Sequence, residues 1–206
     1  MVEGYSSASP QLLIWFIFAA VPLFVVACTA FAKVAIVFSA LRIGLGAENL
    51  LPYIALLTLA LLVTGVIMTP AIELSWGLLQ SHGGWATSPQ AWLDFISELA
   101  EPWFRFLKAN AAERQLEFFS EISGRATDHP TVLIGGFLIT ELGEALRISV
   151  IVLAPFVAVD LITVHLISML GIQLSTSIVT LPVKILLFLA IDGWQLLISG
   201  LAAGYQ

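Results

Sequence analysis

Four stretches of the chain are apolar for long enough to cross a bilayer. Residues 11 to 32 carry no charged side chain until the run closes, and a helix needs about 20 such residues to cross a hydrocarbon layer roughly 30 Å thick. A second run, residues 50 to 72, is entered at Pro52 and approaches its end at Pro70. The third, 148 to 170, contains Pro155, Asp160 and His165, and the fourth, 185 to 203, contains Asp192. Pro22 inside the first run is expected to kink the helix rather than end it, since neighbouring helices can satisfy the freed carbonyl. The short connection from 171 to 184 forces the last two runs into a hairpin.

Between residues 73 and 147 the pattern changes, and four of the six tryptophans lie there, Trp76, Trp85, Trp92 and Trp103. Ser88 and Pro89 read as a helix start. Trp92, Phe95, Ile96, Leu99, Trp103, Phe106 and Leu107 then recur every three or four residues, with Glu98, Glu101, Arg105 and Lys108 on other faces, which predicts an amphipathic helix. A second is expected through Leu116, Phe119 and Ile122, ending near Gly124. The fold class is therefore all-α: membrane-associated helical hairpins, with four hydrophobic segments and an extramembrane helical region between the second and third. Three parts follow: a hydrophobic hairpin at 1–72, an amphipathic region at 73–139 and a second hydrophobic hairpin at 140–206. The middle region reads either as a helical cap on the bundle or as an oligomerisation surface.

Composition excludes more than it identifies. At 59% hydrophobic, 11% charged and mean hydropathy +1.00, the chain cannot be a water-soluble globule, which carries about 25% charged residues. A net charge of −6 is the wrong sign for binding phosphate backbones, so nucleic acid is not an expected partner. Lys33 and Arg42 fall between the first two runs and Lys184 between the last two, which places both connections in the cytoplasm, with the start of the chain and the acidic middle region outside. The string Val25-Val26-Ala27-Cys28 loosely fits a lipoprotein cleavage box, but residues 1 to 10 hold no Lys or Arg. Cys28 reads instead as a small buried thiol.

Catalytic signatures are missing. There is no GxxxxGK[ST] to cradle nucleotide phosphates, Gly44-Leu45-Gly46 lacks the remainder of a dinucleotide site, and neither HExxH nor GxSxG occurs. Asp160 and Asp192 sit outside the Gly-x-Gly-Asp context of intramembrane aspartyl proteases. No enzyme activity, cofactor or metal site is expected.

Ionisable groups inside apolar runs cost about 2.5 to 3.5 kcal/mol each on insertion scales, so they face partners or wet cavities. Asp160, His165, Lys184 and Asp192 are such groups. Across the hairpin Asp160 can pair with Lys184, unless Lys184 snorkels to the interface; His165 reads as structural more readily than as a proton relay. Glu141, Glu144 and Arg147 recur every third residue, so that Glu144 reaches Arg147 on one helical face or the face meets another subunit. Gly200 to Gly204 forms a GxxxG. The segment from 171 to 180, preceded by Met169 and running through Gly171, Ile172, Gln173 and Leu174 into a Ser/Thr run, is too apolar for an ordinary loop. It reads either as a packed re-entrant turn or as one member of a ring of tips closing a pore.

These strings together resemble one family. Leu181-Pro182-Val183-Lys184, Leu187-Phe188 and Asp192-Gly193-Trp194-Gln195-Leu196 are similar to the C-terminal signature of the FliP/SctR family, core export-gate subunits of flagellar and injectisome type III secretion. Thr140-Glu141-Leu142, Ala145, Ile148, Pro155-Phe156 and Asp160-Leu161 resemble its third-span pattern. Ala30-Phe31-Ala32-Lys33, Val37-Phe38-Ser39 and Leu41-Arg42 resemble its first connection, and Ile67-Met68-Thr69-Pro70 the end of its second span. Two departures stand out: Arg42-Ile43-Gly44-Leu45-Gly46 replaces the usual Arg-Asn-Ala-Leu-Gly, and Ile172-Gln173-Leu174 stands where the family loop is often methionine-rich.

The resemblance implies a non-enzymatic subunit, present as a pentamer with FliQ/SctS-like and FliR/SctT-like subunits and with larger export-gate membrane proteins. It implies a tapering pore in the bacterial inner membrane, at the base of the secretion apparatus and facing the periplasm, threaded by unfolded secretion substrates and driven by the proton-motive force and a separate ATPase. Met169, Gly171, Ile172, Gln173 and Leu174 would form the pore loop, and Glu141, Glu144, Arg147, Asp160, Lys184 and Asp192 the charged assembly contacts. The hydrophobic runs would then be hairpins held above the bilayer as readily as true crossings. Lys33 and Val37-Phe38-Ser39, with no cleavable signal at the start, lean toward injectisome members over flagellar ones. A four-span transporter binding a small solute at Asp160 and His165, or a structural membrane scaffold, is the alternative.

Overall fold

The computed structural model describes residues 10–81, 89–171 and 175–205. They form helices only: α1 (Pro10–Cys28), α2 (Phe31–Leu45), α3 (Tyr53–Ile67), α4 (Thr69–Ser81), α5 (Pro89–Asn110), α6 (Glu113–Ser123), α7 (Pro130–Met169), α8 (Thr176–Ala190) and α9 (Gly193–Ala203). The two amphipathic helices expected in the middle region are α5 and α6. Gly124 ends α6 in the left-handed conformation, at φ 63°, where a residue without Cβ is unstrained.

The apolar runs are present, but only one is an unbroken helix. Among the described residues α7 alone is long and apolar enough to cross a membrane. The other three runs are bent pairs: the end of α1 meets α2 at 74°, α3 meets α4 at 65° and α8 meets α9 at 61°. Four crossings result only if each bent pair counts as one. The second bend falls at Met68, two residues before Pro70, but the first and third do not fall at a proline. Pro22 and Pro155 lie within continuous α1 and α7, while the first bend falls at Thr29, whose hydroxyl donates to the Val25 carbonyl and accepts from the Phe31 amide. Side-chain bonds of this kind compete with the helical ladder. Pro70 stands second in α4, so it opens a helix rather than closing one.

At 40 residues, α7 is about 60 Å long, twice a hydrocarbon layer of about 30 Å. It runs unbroken from 130 through the 139/140 division. The Ser/Thr run expected in a loop is helical from Thr176 onward, with Pro182 inside α8; at its start the Ser175 and Ser177 hydroxyls share a hydrogen bond of 2.8 Å.

The core lies where α2 packs on α7, the most extensive pairing among the described helices. Val34, Val37, Phe38, Ala60, Val63, Ala145 and Leu201 are buried together there. Gly44 lets the two helices touch, since a Cβ on it would stand 2.8 Å from both Leu153 and Phe156. Close packing, and not a nucleotide loop, is thus the use of Gly44. Gly46 caps α2 at φ 67°.

Candidate functional site

Among the described residues two ionic ties hold the apolar helices together, and both end on α7. At the first, Lys33 of α2 is buried, its ammonium 2.9 Å from Glu141 Oε1 and 2.6 Å from Glu144 Oε2. Glu141 is wholly buried, whereas Glu144 is about half exposed, with 47% of its side chain accessible. The Tyr205 hydroxyl donates to Glu141 Oε2, its ring lies 4.1 Å from the Lys33 ammonium, and that ring stacks on Phe106 at 5.7 Å between centroids. One cation, one fully buried carboxylate and one phenol therefore fasten α2, α7 and the segment after α9 to each other. Charge-assisted bonds are the strong class, and the cation over an aromatic face adds to them.

This cluster departs from the sequence reading. Lys33 is no water-facing marker of topology, because a charge so enclosed says nothing about which side of a membrane its loop occupies. Glu144 turns to Lys33 rather than to Arg147, which is exposed and makes no ion pair among the described residues. Tyr205 was not singled out. Its signal was chemical: a tyrosine at the end of an apolar helix needs a partner for its hydroxyl once packed. Beside the cluster, Thr140 accepts from the Ala112 amide at 3.0 Å and donates to the Gly136 carbonyl, seating the start of α6 on α7.

The second tie is farther along the same helix. Lys184 Nζ stands 2.6 Å from Asp160 Oδ2. Lys184 is 6% exposed and Asp160 43%, so the lysine is held inside and the acid stands at the edge. Glu141 and Asp160 stand nineteen positions apart, which separates the ties by roughly 28 Å along the helix. His165 is exposed. Five positions on from Asp160, it points about 140° away, so the two do not converge on a solute site.

The remaining candidates are spread out. Asp192 is exposed at the α8–α9 bend, in the left-handed region at φ 50°, and its side chain caps no amide of α9. Met169, the last residue of α7, is 73% exposed, and Gly171 follows at φ 65°. Ile172, Gln173 and Leu174 lie outside the described residues. Arg42 also serves inside the chain, its guanidinium donating to the Leu51 and Glu48 carbonyls and pinning the turn into α3. Trp103 donates to Ser75 at 3.0 Å and meets Phe24 edge-on at 5.4 Å, which joins α5 to α4 and α1.

The sequence matches the description "FliP family" over residues 14–201. It is 31% identical over 207 residues to "Virulence protein YscR" of Salmonella typhimurium, covering 94% of each chain. To "Yop proteins translocation protein R" of Yersinia pestis it is 29% identical, over 89% of this chain and 90% of the relative. To "Flagellar biosynthetic protein FliP" of Agrobacterium fabrum it is 30% identical, over 86% of this chain and 76% of the relative.

Proposed function

The chain belongs to the FliP family, and from that premise we propose that it is a pore-forming, non-enzymatic subunit of a type III secretion export gate. It assembles with like copies as a pentamer, together with FliQ/SctS-like and FliR/SctT-like subunits and larger export-gate membrane proteins. The assembly sits in the bacterial inner membrane at the base of the apparatus, facing the periplasm, and passes unfolded substrate proteins. The observation that carries the reading is the division of the surface. Lys33, Glu141 and Lys184 are drawn inward into ties between helices, while large apolar side chains such as Ile54, Leu62, Val66, Ile151, Leu161 and Leu186 stand more than 60% exposed on α3, α7 and α8. Apolar area on that scale marks a surface made for lipid or for partner chains. A helix twice the thickness of the hydrocarbon layer suits a subunit raised partly out of it.

Co-expression with the membrane proteins encoded beside it, followed by native mass measurement, tests this reading. A pentamer carrying the two smaller subunits is expected; a small homo-oligomer with no obligate partner would return the chain to the transporter alternative. The reading also places the pore closure at the segment joining α7 to α8. Deleting residues 172–174 is expected to leave assembly intact and to raise the ion conductance of membranes holding the complex, because an apolar constriction closes a channel by dewetting. Wild-type conductance in the assembled deletion complex would put the closure elsewhere.

A further inference from the structure

The helix α6 is held on α7 by contacts of two kinds. Toward its start Thr140 accepts the Ala112 amide, and Leu116 is buried against α7, where a Cβ on Gly136 would stand 2.7 Å from its side chain. Neither contact titrates. At its other end the hold passes through a histidine. The Ser120 hydroxyl donates to the Arg125 carbonyl at 2.6 Å, and the Arg125 guanidinium lies 3.1 Å from Nε2 of His129 and 3.4 Å from Nδ1. His129 is the residue before α7, and its Nδ1 accepts from the Thr131 amide at 3.3 Å, which caps that helix.

We propose that His129 is an acid-released clasp: neutral, it caps α7 and holds the Arg125 end of α6, and protonated, it lets that end go while the Ala112 end stays seated. A neutral imidazole has one nitrogen lone pair to offer and an imidazolium has none. The Thr131 hydroxyl, 2.9 Å from Nδ1, can give or take a hydrogen bond and suits either state. The Thr131 amide and the guanidinium can only give. A second proton on the ring therefore takes the acceptor from the amide and sets a cation against Arg125 and against the positive end of α7. No carboxylate among the described residues forms an ion pair with the ring to offset this. Asp128 beside it, Glu113, Arg114, Glu117 and Glu121 on α6, and Arg105 and Lys108 on α5 are exposed. Cys28, the titratable group that α1 brings to this end of α7, is buried in one cluster with Val132 and Leu133, and α7 itself carries no charge before Glu141.

The clasp needs only the turn between α6 and α7, so it stands apart from the export-gate reading. The full chain, purified in detergent with its co-expressed partners, is followed by amide hydrogen exchange at about pH 7.5 and about pH 5.5, within the range where histidine changes charge. Each rate is divided by the intrinsic rate at that pH. In acid the wild type is expected to lose about fivefold protection at the Thr131 amide, the loss of one helix cap, and a similar factor across residues 120–126, while residues 112–116 keep theirs. His129→Asn, which can cap but cannot titrate, should show neither loss. Arg125→Gln breaks the clasp and leaves the cap, so it should loosen 120–126 equally at both pH values while the Thr131 amide stays acid-sensitive. Equal acid losses in wild type and His129→Asn overturn the proposal, as does wild-type protection that acid leaves unchanged or a loss that spreads through 112–116. Should His129→Asn fail to fold, an acid loss across 120–126 that persists in Arg125→Gln overturns it.

Discussion

Replacing Lys33 with methionine is expected to destabilise the chain by about 3 to 5 kcal/mol, the usual cost of removing one partner from a buried ion pair. For a chain of this length that lowers the thermal midpoint by on the order of 10 °C, measurable as loss of monodisperse protein on heating in detergent. The size of the effect comes from Glu141, which is wholly enclosed: without Lys33 its only partner in the cluster is the Tyr205 hydroxyl. Removing both charges, as in Lys33→Met with Glu141→Leu, should be milder than the sum of the single changes, because no charge is then left stranded. Glu144→Gln is the internal control. That carboxylate is half exposed, and exposed pairs contribute about 0 to 1 kcal/mol. A midpoint for Lys33→Met within a degree of wild type would show that water or another cation reaches Glu141.

Much of the fold was legible because it follows from periodicity. The 3.6-residue recurrence from Trp92 to Leu107 placed α5, and Gly124 placed the end of α6. What hydropathy could not give was direction, since a run of apolar residues has the same composition whether its helix is straight or bent by 74°. The bends did leave local marks, in the hydroxyl of Thr29 and in Asp192-Gly193, where the chain passes through a left-handed residue. These marks are weaker than proline, which drew attention to Pro22 where the helix runs on. Partner choice was the least legible. The i, i+3 rule offered Arg147 to Glu144, but an exposed local cation competed with Lys33, brought from 111 residues away by the packing of α2 on α7. Only the tertiary fold holds that information. Asp160 and Lys184 were easier, because a short connection between two helices limits which positions can face each other.

That hairpin geometry makes a second large effect predictable, and an asymmetric one. Asp160 is nine residues before the end of α7 and Lys184 eight residues after the start of α8, so the bridge clamps two arms of nearly equal length, each roughly 12 to 13 Å. It fixes the register in which the hairpin presents its tip. Asp160→Asn leaves a lysine that is only 6% exposed without its counter-charge, and the expected cost is about 3 kcal/mol or more. Lys184→Gln leaves an acid that is 43% exposed, and water or a lipid head group can meet it, so the cost should be smaller, about 1 to 2 kcal/mol. Asp160→Asn combined with Lys184→Met should recover stability relative to Asp160→Asn alone. Heating curves for the purified full chain, with secretion by the same variants in cells, give the ordering. If Asp160→Asn is the milder single change, the four-carbon stem of Lys184 has carried its ammonium out to the interface, and the pair is a convenience of the closed hairpin rather than the clamp that sets its register.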